Sequence, residues 1–217
     1  MTVLDADWQP EFGSIFTWFA KDKFGRVAVM VNNCFGDLPR ELLRITEVES
    51  LLDRMNEYMW EESKEFYDYP IVKGGRFDVD LYSACRHRRN LCKGFILDEF
   101  ESDLAEMGNY SEANLPVNKG FFVYHAIEGS YEGEDYPVGY DGATKMGDYF
   151  RYLIPTVFAS IEGFPEPLRR GIAVSDRLDF TVDRFLDNER INEYFPTMYH
   201  VPCTMYHVPC TKAKGML

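Results

Sequence analysis

The chain has 217 residues, 46% of them hydrophobic and 16% aromatic. That is enough for one large domain or two small ones with a sizeable core, so neither disulfides nor a metal is required for stability and a disordered chain is excluded. Acids outnumber bases 36 to 23, a formal net charge of −13, which argues against nucleic-acid binding along a basic face and against an anionic membrane surface. The same surplus favours a basic protein partner, with simple solubility as the bland alternative.

The opening MTVLDADWQPEFG is acidic and carries no apolar leader, and no apolar run reaches the roughly 18 residues that would span a bilayer. The reading is a cytoplasmic protein whose cysteines (Cys34, Cys85, Cys92, Cys203 and Cys210) are reduced thiols. Residues 14–33 read as a β-hairpin. SIFTWFA and RVAVMVN are rich in β-formers, KDKFG supplies the turn, and Gly25 suits its positive-φ position. Gly36 and Pro39 then break the strand pattern.

A long helix is predicted over 46–66, with Thr46 and Glu49 as a capping box and Val48, Leu51, Leu52, Met55 and Met59 as its apolar face. GGRFDVDLYSA reads as a strand and DEFESDLAEMG as a short helix. KGFFVYHAIEG is apolar on both faces and reads as a central strand. YPVGYDGATKMGDYFRYLIPTVF reads as packed loop with a short strand, RRGIAVS as a strand, and 182–195 as a last helix capped by Thr181. Strands and helices do not alternate regularly. The expected fold is therefore α+β, a mainly antiparallel sheet flanked by helices, in a single domain over 1–196 with a tail at 197–217.

Phosphate-binding loops and nucleophile elbows are not found in the sequence. His125 on its strand, with Asp78 or Asp80 as a paired acid, could serve a small hydrolase or transferase. The plainer reading is a hydrogen-bonded histidine and two solvated acids. CRHRRNLCK at 85–93 is the one basic patch, suited to an anion or, more simply, to nearby carboxylates; Cys85 and Cys92 are spaced too widely for a zinc knuckle. Acids cluster without bases between 98 and 118 and again between 128 and 141, where Glu132, Glu134 and Asp135 fall together. On the long helix, Asp53, Glu57, Glu61 and Glu65 recur at i, i+4 steps. That stacks like charges at a cost of about 0.2–0.5 kcal/mol per pair, a ridge suited to a cationic surface if it is not simply solvated.

The tail repeats TMYHVPC at 197–203 and 204–210. His200, Cys203, His207 and Cys210 are the ligand types of a zinc site, but the two pairs nearly abut and Pro202 and Pro209 stiffen the turn. An identical copy is explained more simply by a duplicated coding segment, and Met198, Tyr199 and Val201 could pack one copy on the sheet. No metal, cofactor or catalytic residue is expected.

IFTWFAKDKFGRVAVMVNNCFGDLP runs an aromatic strand, a D-x-x-G turn, an apolar strand and a G-x-x-P break. It resembles the opening of small bacterial immunity proteins of polymorphic toxin systems. YPVGYDGATKMGDYFRYLIPTVFASIEGFP followed by LRRGIAVSDRLDF resembles the aromatic-rich immunity-type proteins encoded beside contact-dependent or Rhs toxins. The aromatic strand and the Leu-Pro after it also resemble the SUKH superfamily, although the early helix ahead of the sheet is not evident. The resemblance covers about two-thirds of the chain and implies an antitoxin-like immunity protein that occupies the active site of a cognate, basic toxin domain. On that reading the ridge acids Asp53, Glu57, Glu61 and Glu65 and the loop acids Glu132, Glu134 and Asp135 are the candidate toxin-binding residues.

Overall fold

A computed structural model of the chain describes residues 4–66, 73–84, 92–129 and 131–200. The two β-rich stretches around DKFG pair as the sequence indicates. Strand β1 (Thr17–Lys21) lies antiparallel to β2 (Val27–Val31), with Phe19 opposite Val29. Buried Asp22 closes the turn: its carboxylate accepts from the Phe24 and Arg26 N–H groups at 2.9 Å each, and from the distant Phe180 N–H at 3.2 Å. Gly25 takes φ +81°, a conformation that costs a residue without Cβ little.

After the break come a short helix α1 (Arg40–Leu43) and helix α2 (Val48–Met59), which buries Val48, Leu51, Leu52, Met55 and Met59 as its spacing predicts. Two expectations fail here. The helix stops at Met59 rather than reaching residue 66, and the Thr46–Glu49 capping box does not form. Glu47 enters the helix in a left-handed conformation with no side-chain cap, and the Glu49 carboxylate accepts instead from the Leu4 N–H at 2.6 Å.

The remaining elements are β3 (Phe77–Val79), helix α3 (Lys93–Met107), β4 (Phe122–Ala126), β5 (Tyr149–Pro155), β6 (Ile172–Val174), β7 (Phe185–Leu186), helix α4 (Ile191–Tyr194) and β8 (Thr197–Met198). They complete a single α+β fold on an eight-stranded sheet of order β3-β5-β4-β2-β1-β6-β8, with β7 on β5. The sheet is mixed, which corrects the antiparallel expectation: β1 with β6 and β2 with β4 run parallel. Parallel neighbours need long connections. The chain supplies one between β2 and β4, through α1, α2, β3 and α3, and hairpin-scale pattern reading does not reveal it.

Strand β4 is central, as its two apolar faces imply, with Phe122, Val123 and Tyr124 fully buried between β2 and β5. Residues 182–195 are not the single helix predicted. The Thr181 hydroxyl donates to Asp179 at 2.6 Å inside a turn, Phe185 and Leu186 pair with β5, and only Ile191–Tyr194 are α-helical. Aromatic edges knit the core. Trp18 lies edge-on to Tyr149 and Phe195 at 5.8 and 5.2 Å, and its indole N–H donates to the Tyr149 hydroxyl at 3.1 Å. Among the described residues no helix is long and apolar enough to cross a membrane.

Candidate partner-binding surface

Helix α3 contains the acidic run at 98–118 only in part, but it contains the part that matters for a surface. Ile96, Leu97, Phe100 and Leu104 recur at three- and four-residue steps and make one narrow apolar stripe. That stripe rests on the β3–β5 margin of the sheet: the Phe100 ring meets Phe77 at 6.0 Å and Tyr152 at 5.7 Å. Lys93, the first helical residue, pairs its ammonium with the Asp78 carboxylate at 2.7 Å. Gly108, with φ +58°, closes the last turn by donating its N–H to the Leu104 carbonyl.

Only Ile96 of the fifteen helical residues is buried. Asp98, Glu101, Asp103 and Glu106 are exposed, and so are the apolar side chains of Phe95 and Met107, each 48% accessible, with Tyr110 just beyond at 67%. Carboxylates and large apolar groups are thus exposed together on one helix, a combination that protein interfaces also present.

The ridge predicted on the long helix does not form as one row. Asp53 is exposed and Glu57 half-buried on α2, but the helix has ended before Glu61 and Glu65. Glu61 takes φ +59° and turns inward. Its carboxylate accepts from the Lys119 ammonium at 2.7 Å and from the Asn109 amide at 2.7 Å. It therefore ties the end of α2 to the turn that follows α3. Burial holds the Lys119 ammonium below its ordinary pKa, and the Glu61 contact works in the opposite direction. Glu65 pairs with Arg54.

The loop acids divide as well. Glu132 and Glu134 are exposed, and the Glu134 carboxylate accepts from the Tyr131 N–H at 3.1 Å. Asp135 is buried and accepts from the Ser83 hydroxyl at 3.4 Å.

The enzymatic constellation is not assembled in the predicted form. Asp80 accepts from both the Arg151 and Arg184 guanidiniums, at 2.9 and 2.7 Å, in a largely buried cluster, and Asp78 is held by Lys93. Neither lines the small cleft, about 50 Å³, that holds His125 together with Asn33, Tyr82, Glu128, Asp135 and Tyr152. The carboxylate that meets His125 Nε2, at 2.6 Å, belongs to Glu112. The sequence offers no signal for that pair, because a π-helical turn at Leu115–Lys119 brings the two segments together. The opposing guanidiniums of Asp80, on β5 and beside β7, are equally invisible to local pattern.

Of the basic patch, Arg86, Arg88 and Arg89 lie outside the described residues, as do Cys203, His207 and Cys210 of the tail. Among the described residues no three His, Cys, Asp or Glu side chains are grouped to hold a metal ion, and Cys34 and Cys92 are free thiols. No protein-family model, curated protein or solved structure matches this chain.

Proposed function

We propose that this chain is an immunity-type protein that captures and neutralises a basic toxin domain, with α3 as the leading contact. The observation that carries the reading is α3 itself, a fifteen-residue helix that buries one side chain and turns four carboxylates, Phe95 and Met107 outward. The chain-wide charge of −13 adds long-range attraction, which raises the rate of encounter with a cationic partner. Asp53, Glu57, Glu65, Glu132 and Glu134 remain candidate rim contacts. Glu61 and Asp135 are committed to internal bonds and drop out of the binding set.

Occupancy needs no catalytic group in this chain. The rival reading, a small hydrolase or transferase, would use His125 with Glu112 as its orienting carboxylate in place of Asp78 or Asp80. Co-expression with the toxin domain encoded beside its gene tests the proposal. Growth should be restored by the intact chain and lost when Asp98, Glu101 and Glu106 are all changed to Lys, with His125→Ala still protective. Growth arrest that the intact chain does not relieve counts against it.

A further inference from the structure

The last described strand opens the first copy of the repeat. Thr197 and Met198 pair antiparallel with Val174 and Ala173 on β6, and the Tyr199 N–H donates to the Ile172 carbonyl at 2.9 Å. Met198 and Tyr199 pack against the core from the margin of a groove of about 370 Å³, lined also by Glu41, Arg44, Ile45 and Arg170. The side chains that make this fit, Thr-Met-Tyr-His, recur unchanged at 204–207.

We propose that the β6 edge is a strand-accepting site with two interchangeable internal ligands, the copies that begin at Thr197 and at Thr204, the second serving as a reserve that enters by a seven-residue slip. Register is normally fixed because a shifted strand presents different side chains. Here a shift of seven presents the same ones, so the contacts with β6 are reproduced residue for residue. The two states differ in the connection before the strand and in the chain that follows it. In the observed state Pro196 alone joins buried Phe195 to the strand, and in the slipped state residues 196–203 span the same gap. Eight residues cover such a gap with slack, and loop-closure entropy grows only slowly with length. The shorter connection keeps the first copy in place, and the second takes over when the first is damaged or pulled away. This inference is independent of the toxin reading.

The experiment uses the full chain with Cys85, Cys92, Cys203 and Cys210 changed to Ser. Val174→Cys is combined with Thr197→Cys or with Thr204→Cys under mild oxidation, each with and without Met198→Lys. Met198→Lys should shift the crosslink from position 197 to position 204 within one molecule. In thermal melts Met198→Lys alone should cost little, and Met198→Lys with Met205→Lys about 3 °C more. An absent 174–204 crosslink beside a formed 174–197 control overturns the proposal. So does a 174–204 crosslink that joins two molecules. If neither disulfide forms, the melts decide, and equal melting of the single and double lysine variants overturns it.

Discussion

Removing the Glu61 carboxylate would strand the Lys119 ammonium, whose side chain is 1% exposed. An uncompensated buried charge costs about 3–5 kcal/mol. Glu61→Ala should therefore destabilise the fold by that order in urea unfolding, while Asp53→Ala stays within about 0.5 kcal/mol. Asp80→Ala should be comparably severe, because it leaves the guanidiniums of Arg151 and Arg184 facing each other in a largely buried site.

Gly120→Ala is disfavoured twice over. Its φ is +74°, and an added Cβ would sit 2.5 Å from the Val157 carbonyl oxygen, so a loss of more than about 1 kcal/mol is expected. Asp37 supplies a pH-dependent case. Burial raises its carboxyl pKa above 3.8, with Arg40 opposing. A folded pKa above the unfolded one means the native state binds the proton more readily. The burial penalty is thus full at neutral pH and fades as pH falls through the raised value towards 3.8. Asp37→Asn should accordingly stabilise the protein at pH 7, and the gain over wild type should shrink on acidification in melts recorded across that range.

Helix α2 shows what hydrophobic period carries and what it does not. All five apolar positions read from the sequence are buried, because a 3.6-residue stripe has one way to face a sheet. The end of the helix was not legible. Glu61 lies past the helix end at positive φ and pairs with Lys119, 58 positions away in sequence, and no local signal encodes that partner. Met55 is wholly buried and lies against Gly171, where a Cβ would approach its sulfur to 2.5 Å. Met55→Ala should cost about 2–5 kcal/mol by chemical denaturation. Segment 182–195 failed for the converse reason: its helical spacing is real, but pairing of Phe185 and Leu186 with β5 overrides propensity. Helix α3 was legible as an element, yet its exposure was not, since that depends on how little of the sheet margin lies beneath it.

Across the whole molecule, the α+β class and the central place of β4 could be read from composition and pattern, whereas the mixed sheet could not. The β2–β4 and β1–β6 pairings join strands far apart in sequence, and parallel contact leaves no hairpin mark. The enzymatic grouping failed for the same reason, since alternation along β3 says nothing of the arginines that claim Asp80. Net charge is a property of the whole chain, and its bearing on a partner is tested at that scale. The most direct measurement is calorimetric titration of the chain with the purified, inactivated basic toxin domain that the proposed function requires as its partner, at low and high salt. A complex should form whose affinity falls as salt rises, and falls at least tenfold in the Asp98→Lys, Glu101→Lys, Glu106→Lys variant while its melting temperature holds. No complex at any salt, or an affinity indifferent to both salt and the charge of α3, would contradict the reading of this acidic surface as a toxin-binding one.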